Sequence, residues 1–371
     1  MVDKAKKNAY IWFSGATDVT GKKLAEALKT KCGDKKPAQK DGDLVIGWGA
    51  KTNENTNLGK MKTLNHPDNI RSNRNKLGSL ELMKRANVNV AAFVSADNYG
   101  SIGTAGSEVK LPVIGRTKYH QGGKGFWMCP TMTHVANAVK QGAQYFQNLI
   151  EIKEEYRLHT FGDKVIYAVQ KKSRTQEEMA EAFIRHEMDR QKALAKKNNN
   201  NFDEETAMSF LQRQAKKFAQ NGADMLVRSN RLGWKFVKVK KVDADLEKEA
   251  IKSLKAIGLD FGAVDCCIDA SGKPWIIEVN TGPGLEESTF DIWVGAFEEK
   301  INEILNPKSL AKKVAEKITG KKGVTKKTVA VSGSKKEELA AKLAMAQQFV
   351  TNADEEDIDT INKVMAKVLG F

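Results

Sequence analysis

The sequence predicts a mixed fold, α/β at its start and α+β over the remainder, and three patterns predict it. An apolar strand, an amphipathic helix and a second apolar strand follow one another in "NAYIWFSG", "TGKKLAEALKTK" and "DLVIGWG". Two strand-like segments, "EYRLHTF" and "KVIYAVQKK", flank Gly162 and Asp163, a hairpin turn. A third pair, "GAVDCCID" and "PWIIEVN", flanks "ASGK", which also suits a tight turn.

In chain order, the β-α-β opening leads into a polar connection rich in Asn, then a helix in "NKLGSLELMKRAN" and a strand in "VNVAAFV". "LPVIGRTKYHQGGKGFWM" predicts strand, glycine-rich loop and short strand, followed by a helix opened by Thr133 and ending near Asn148. After the first hairpin, "QEEMAEAFIRHEMDRQKALAKK" and "DEETAMSFLQRQAKKFAQ" carry helical patterning around "NNNN", a helical hairpin inserted in a sheet over 174–220. Sheet pattern returns in "DMLVRSN" and "WKFVKVKKV", a helix follows at 244–257, and the last hairpin closes the region. The expected organisation is an N-terminal α/β domain at 1–75, one α+β unit at 76–148 and another at 149–306. A lysine-rich linker at 307–335 and a helical hairpin at 336–371 complete it, the latter opened by a capping-box pair, Ser334 and Glu337.

The net charge of +15 favours polyanions on the surface without choosing among nucleic acid, nucleotides and acidic proteins. Cys32, Cys129, Cys266 and Cys267 show neither Cys-x-x-Cys spacing nor a nearby His, which argues against zinc or a disulfide framework and for a reducing, cytoplasmic setting, the host cytoplasm if the source is viral. The stretch "AYIWFSGA" is short and lacks a cleavage-site pattern, so no signal peptide is expected, and no window reaches the length of a membrane span. "SGATDVTGKK" has the wrong glycine spacing for a phosphate-binding P-loop and puts Lys23 where a Ser or Thr would hold metal. His120 and His159 lack partners at a recognisable hydrolase spacing.

Chemistry concentrates in the last hairpin. With Ala270 facing Lys273 across the turn, Asp265 falls opposite Glu278, and Asn280 shares the face of Glu278 by strand alternation. Two facing carboxylates repel, so a positive species belongs between them. Oxygen-only donors select a hard cation, and Mg²⁺ is characteristically held by one or two carboxylates together with phosphate oxygens. Upstream, Arg116 precedes Gly122, Gly123, Lys124 and Gly125, a loop whose bare backbone lets amides approach an anion.

The stretch "GLDFGAVDCCIDASGKPWIIEVNTGPGLEES" resembles the metal-binding hairpin of the ATP-grasp superfamily, in which Asp, a turn and Glu-x-Asn precede a Pro-Gly turn. The resemblance extends over about residues 9–305 and is greatest to the branch holding ribosomal-protein glutamate ligases, D-alanine ligases and related phage-encoded proteins. It implies an ATP-grasp fold, with a pre-grasp domain and two α+β subdomains sandwiching ATP. It implies that Asp265, Glu278 and Asn280 hold one or two Mg²⁺ ions, with Mn²⁺ as a substitute, and that Gly284 sits near the acceptor. Members of the family carry lysine where this chain has Arg116, which leaves Lys118 and Lys124 as rival phosphate contacts. By the same resemblance Glu151 and Ile152 contact adenine, Arg157 and Lys171 face phosphate or the acyl group, and Arg228, beside the substrate-side Asn230, steadies the transferred phosphate. The rival for Arg157 is a solvated strand arginine paired with Glu155.

The expected activity is an ATP-dependent ligation of a small-molecule or peptide carboxylate to an amine through an acyl phosphate. The alternatives are an ATP-grasp kinase acting on a small molecule, and a basic nucleic-acid-binding or virion-associated protein with secondary ATP binding. The basic surface and C-terminal helices are the expected contacts for a protein or nucleic-acid partner.

Overall fold

A computed structural model describes residues 8–120, 125–220, 222–224, 228 and 233–306. The lysine-rich linker, the C-terminal hairpin with Ser334 and Glu337, and Gly122, Gly123, Lys124 and Asn230 lie outside the described residues.

The chain opens with β1 (Ala9–Phe13), α1 (Val19–Leu28), β2 (Lys31–Gly33), β3 (Leu44–Trp48) and β4 (Lys62–Leu64). They form a four-stranded parallel sheet in the order β2-β1-β3-β4. Every residue of β3 is buried, as continuous apolar strands are in parallel sheets covered on both faces. Asp18 caps α1 by accepting from Gly21 N at 2.8 Å. A Cβ on Gly21 would lie 2.6 Å from Phe13 Cβ, so this glycine of "TGKK" serves close helix-on-strand packing. The Asn-rich connection contains an additional helix, α2 (Pro67–Arg74), with proline in its first turn. Asn75 ends α2 and caps α3 (Lys76–Arg85), accepting from Gly78 N at 3.2 Å.

A second sheet contains β5 (Phe93–Ser95), β6 (Val113–Arg116) and β7 (Phe126–Cys129), then, after α4 (Met132–Lys140), β8 (Tyr145–Asn148). It has four antiparallel strands in the order β5-β8-β6-β7. The helix expected to start at Thr133 and run to Asn148 is therefore shorter. Thr131 occupies its N-cap position, and Gly142 at φ +101° follows its end. The next residues form a strand whose Tyr145 and Phe146 are buried.

The third sheet begins with β9 (Ile152–Phe161) and β10 (Lys164–Ser173), continues after α5 (Gln176–Lys197) and α6 (Glu204–Gln220) with β11 (Trp234–Val239), and after α7 (Ala244–Ile257) ends with β12 (Phe261–Asp269) and β13 (Pro274–Asn280), before α8 (Glu287–Leu305). Its five strands are antiparallel in the order β11-β10-β9-β12-β13. One face packs on α7 through Leu158, Val264, Leu246 and Leu254. The other begins as an aromatic cluster: Phe161 and Phe261 stack at 5.6 Å and meet Trp293 and Phe297 of α8 and Trp48 of β3. That cluster joins the first and third sheets. Polar ties reinforce the junction. Asn65 Nδ2 donates to Phe261 O and Asn73 Nδ2 to Val279 O, each at 2.8 Å, and Gly49 N donates to Thr281 O at 3.0 Å.

Within the insertion, α5 and α6 pack on each other and Phe183 stacks on Phe218 at 5.2 Å. Thr175 and Glu178 form a capping box at the start of α5, and Glu178 also pairs with Lys235 on β11.

Candidate active site

The face that is aromatic beneath α8 turns polar farther along the strands. Residues opposite one another define its rows. Tyr167, His159, Ala263 and Asn280 form the first, Val169, Arg157, Asp265 and Glu278 the second, and Lys171, Glu155 and Cys267 the third.

Asp265 and Glu278 do face each other, but by a different route from the one the turn suggested. Near the turn, Ile268 pairs with Pro274 and Cys266 with Ile276, so the loop is one residue longer than the Ala270–Lys273 pairing requires. A bulge at Ile277 restores the register at Glu278. Asp269 organises the turn, accepting from Ser271 N and Lys273 N, both at 2.9 Å, and from Trp275 Nε1 at 2.7 Å.

Asp265 is 4% exposed, and Arg157 grips both its oxygens, Nε to Oδ1 at 2.7 Å and Nη2 to Oδ2 at 2.8 Å. Burial opposes its charge, but Arg157 and Lys171 outweigh it and hold the carboxyl below the usual range. Lys76, at the start of α3, lies 3.3 Å from Glu278 Oε2. Burial raises the Glu278 pKa and Lys76 more than reverses that. Asn280 Nδ2 lies 3.2 Å from Asp265 Oδ2 and 3.3 Å from Glu278 Oε1. The three predicted metal-site side chains therefore meet.

The rival pairing of Arg157 with Glu155 is not what forms. Glu155, 5% exposed, pairs instead with Lys171 and with Arg228, whose Nε lies 3.7 Å from its Oε2. Lys171 is kept charged: burial lowers its pKa, but Asp265 and Glu155 raise it above the ordinary value. Arg228 lies over the Trp234 ring at 4.7 Å and donates to Ile152 O at 3.1 Å. Trp234 is itself buried, as core packing requires. Ile152 pairs with Asp269 at the turn end of the sheet, where Glu151 O accepts from Ala270 N. Glu151 also lines an open cavity of about 750 Å³ with Lys84 and Trp275, away from the Asp265–Glu278 pair.

Arg116 ends β6 and faces Tyr145 across the ladder. Its Nη2 lies 2.7 Å from His120 Nδ1, and its guanidinium lies over Phe126 at 5.5 Å. Lys118 is engaged through its backbone, N donating to Gln144 Oε1 and O accepting from Lys76 N. Gly125 holds φ +60°. Gly284 is exposed in the loop after β13, and a Cβ there would meet nothing within 4 Å. Its neighbour Gly282 is the constrained one, since a Cβ would lie 3.1 Å from Gly49 Cα.

Sequence reasoning missed Lys76 and His120 as site residues and gave Glu155 only as a partner for Arg157. Lys76 is one lysine among many on an ordinary helix, and only the anchoring of α2 and α3 to the last hairpin reveals it. Among the described residues no group of three His, Cys, Asp or Glu side chains is placed to hold a metal. The donor set is two carboxylates and one amide, which fits a hard cation that completes its shell with phosphate oxygens or water. No helix among the described residues is long and apolar enough to cross a membrane.

No family model matches the chain. A D-alanine–D-alanine ligase of Methylococcus capsulatus is 39% identical over 46 residues, which is 12% of this chain and 15% of that ligase. Among solved structures, a D-alanine–D-alanine ligase from Bacillus anthracis aligns over 83% of this chain and 98% of its own, at 11% identity and a TM-score of 0.49. The ATP-grasp ligase PsnB, complexed with a variant of a minimal precursor, Mg and ADP, aligns over 80% of this chain and 98% of its own, at 9% identity and a TM-score of 0.48.

Proposed function

We propose that this chain is an ATP-grasp ligase that joins a carboxylate to an amine and releases ADP and phosphate. One observation carries the reading: Asp265, Glu278 and Asn280 converge on a sheet face that also presents Arg157 and Lys171, with Arg228 and Lys76 at its margins. Phosphoryl transfer asks a protein for positioning and charge compensation more than for a nucleophile, and this face supplies cations and metal-binding carboxylates together. The adenine end of ATP lies toward Ile152 and its phosphates toward Asp265, along the direction of β9. Mg²⁺, or Mn²⁺ in its place, would be held by Asp265, Glu278 and Asn280 and would offset charge on the phosphate oxygens. The substrate carboxylate attacks the γ-phosphorus, the bond from that phosphorus to the ADP oxygen breaks, and an acyl phosphate forms. The amine then adds to the acyl carbon, loses a proton, and expels phosphate. Arg157, beside Asp265, stabilises the negative charge of both steps, whereas Arg228, bonded to Ile152 O and paired with Glu155, lies toward the adenine end. Substrates are a small-molecule or peptide carboxylate and amine, and Gly284 lies on the acceptor side.

Hydroxylamine separates this reading from a kinase. The protein is incubated with Mg·ATP, hydroxylamine and pooled carboxylates, and the products are read by mass. A ligase yields a hydroxamate with stoichiometric ADP, and Glu278→Ala yields neither. A stable phosphoester without hydroxamate assigns a kinase, and ADP formation that survives Glu278→Ala places the chemistry elsewhere.

A further inference from the structure

The cation of β6 is an arginine, and its neighbours treat it in a particular way. Arg116 Nη2 lies 2.7 Å from His120 Nδ1 and 3.1 Å from His120 Nε2. The ring in turn has Nε2 3.4 Å from the Tyr145 hydroxyl, and Tyr145 is 2% exposed in the strand beside Arg116. Arg116 Nε is buried and, among the described residues, has no hydrogen-bond partner. A buried guanidinium N–H ordinarily finds an acceptor, because leaving it unpaired forfeits its hydration. Lys118 O, two residues before His120, accepts from Lys76 N at 2.8 Å, and Lys76 Nζ lies 3.3 Å from Glu278 Oε2, so the group borders the metal-binding pair.

We propose that His120 is a positioning residue: held by Tyr145, it orients the plane of the Arg116 guanidinium toward the phosphates of the nucleotide. The proposal rests on the nucleotide site described above and adds how this chain presents its strand cation. An ammonium is a compact charge with three rotatable donors and points at an anion from many side-chain conformations, whereas a guanidinium donates only in its plane and must be turned to face its target. A hydrogen bond to one end of the plane fixes that turn. The ring has to accept for this, and burial followed by the charge of Arg116 lowers its pKa to about 4, which leaves it neutral near pH 7. With Nδ1 accepting from Arg116, the remaining ring N–H faces the tyrosine oxygen.

The dependence on His120 therefore exists only while residue 116 is arginine, which makes the test a double-mutant cycle. Equilibrium binding of Mg·ADP and of adenosine to the full chain is measured by calorimetry for wild type, His120→Ala, His120→Asn, Arg116→Lys and the double variant Arg116→Lys/His120→Ala. His120→Ala is expected to weaken Mg·ADP about tenfold, ~1.4 kcal/mol, and to leave adenosine unchanged. His120→Asn, whose amide oxygen can replace Nδ1 as acceptor, is expected to recover most of the loss. In the Arg116→Lys background, His120→Ala is expected to change Mg·ADP affinity less than about twofold. Equal losses for ADP and adenosine, or the same loss in both backgrounds, would overturn the positioning role while leaving the nucleotide site intact. A wild-type chain that binds neither ligand would overturn the nucleotide site itself, and the proposal with it.

Discussion

Asp265 is tolerable as a buried carboxylate because Arg157 saturates one edge of it and Asn280 reaches another. Removing one partner of such a pair is costlier than removing both, since it leaves a buried charge without its counter-charge. Arg157→Met is therefore expected to cost about 3–5 kcal/mol of unfolding free energy, and Arg157→Met/Asp265→Leu to recover most of that. Urea denaturation of the single and double variants reads it directly, and equal losses in the two would contradict the pairing. The same reasoning separates Asp265 from Glu278. The latter meets a lysine at 3.3 Å, an ion pair that a divalent cation can exchange more readily than a bidentate arginine. Glu278→Gln is expected to reduce Mg²⁺-dependent ADP binding at least tenfold with little effect on stability, about 1 kcal/mol or less. Calorimetry with and without Mg²⁺ would show it.

Individual elements show what the sequence revealed and where it misled. The facing of Asp265 and Glu278 was legible because strand alternation is strict and the turn residues were conspicuous. It came out right, however, through two offsetting errors, a loop one residue longer and a bulge at Ile277, neither of which has a local signature in "SGKPWIIEVN". β2 and β4 went unnoticed because each has three residues with exposed lysines, too short for a periodic signal, and lysine at such positions discourages further pairing. β8 was absorbed into the preceding helix because "GAQYFQN" carries only one apolar pair. α2 was lost in its Asn-rich composition, although Pro67 followed by Asp68 is a helix-start signal. Asn75 makes that junction testable, since it closes one helix and caps the next immediately before Lys76. Asn75→Ala is expected to cost about 1 kcal/mol and Asn75→Asp much less. Thermal melts should rank them in that order, and a silent alanine would show that the cap is not what sets the start of α3.

Across the whole molecule, the classes of element were readable but the order of the strands was not. The order β5-β8-β6-β7 and the packing of α8 between two sheets depend on residues far apart in the chain, and periodicity carries no information about such pairings. That long-range packing gives the protein a pH response that composition alone would not suggest. His159 sits at the boundary of the aromatic cluster and the charged rows, 3% exposed, stacked on Tyr167 at 4.0 Å and accepting from Trp293 Nε1 at 3.1 Å. Burial first, then the charge of Arg157, lowers its pKa to about 3. The unfolded imidazole takes up a proton below about pH 6.5 and the native one only near its lowered pKa, so over that interval the unfolded state binds more protons and stability falls as pH falls. Between pH 7 and pH 5 this one group removes about 2 kcal/mol. Asp265, whose folded pKa is lowered, acts in a separate window: its stabilisation is intact above the unfolded carboxylate pKa and is lost only below it. His159→Gln can still accept from Trp293 but does not titrate, so its unfolding free energy should change by about 2 kcal/mol less than wild type between pH 7 and pH 5. Urea denaturation at pH 7, 6 and 5 measures the two slopes, and identical slopes would mean that His159 is protonated in the native state or that its burial is relieved in solution.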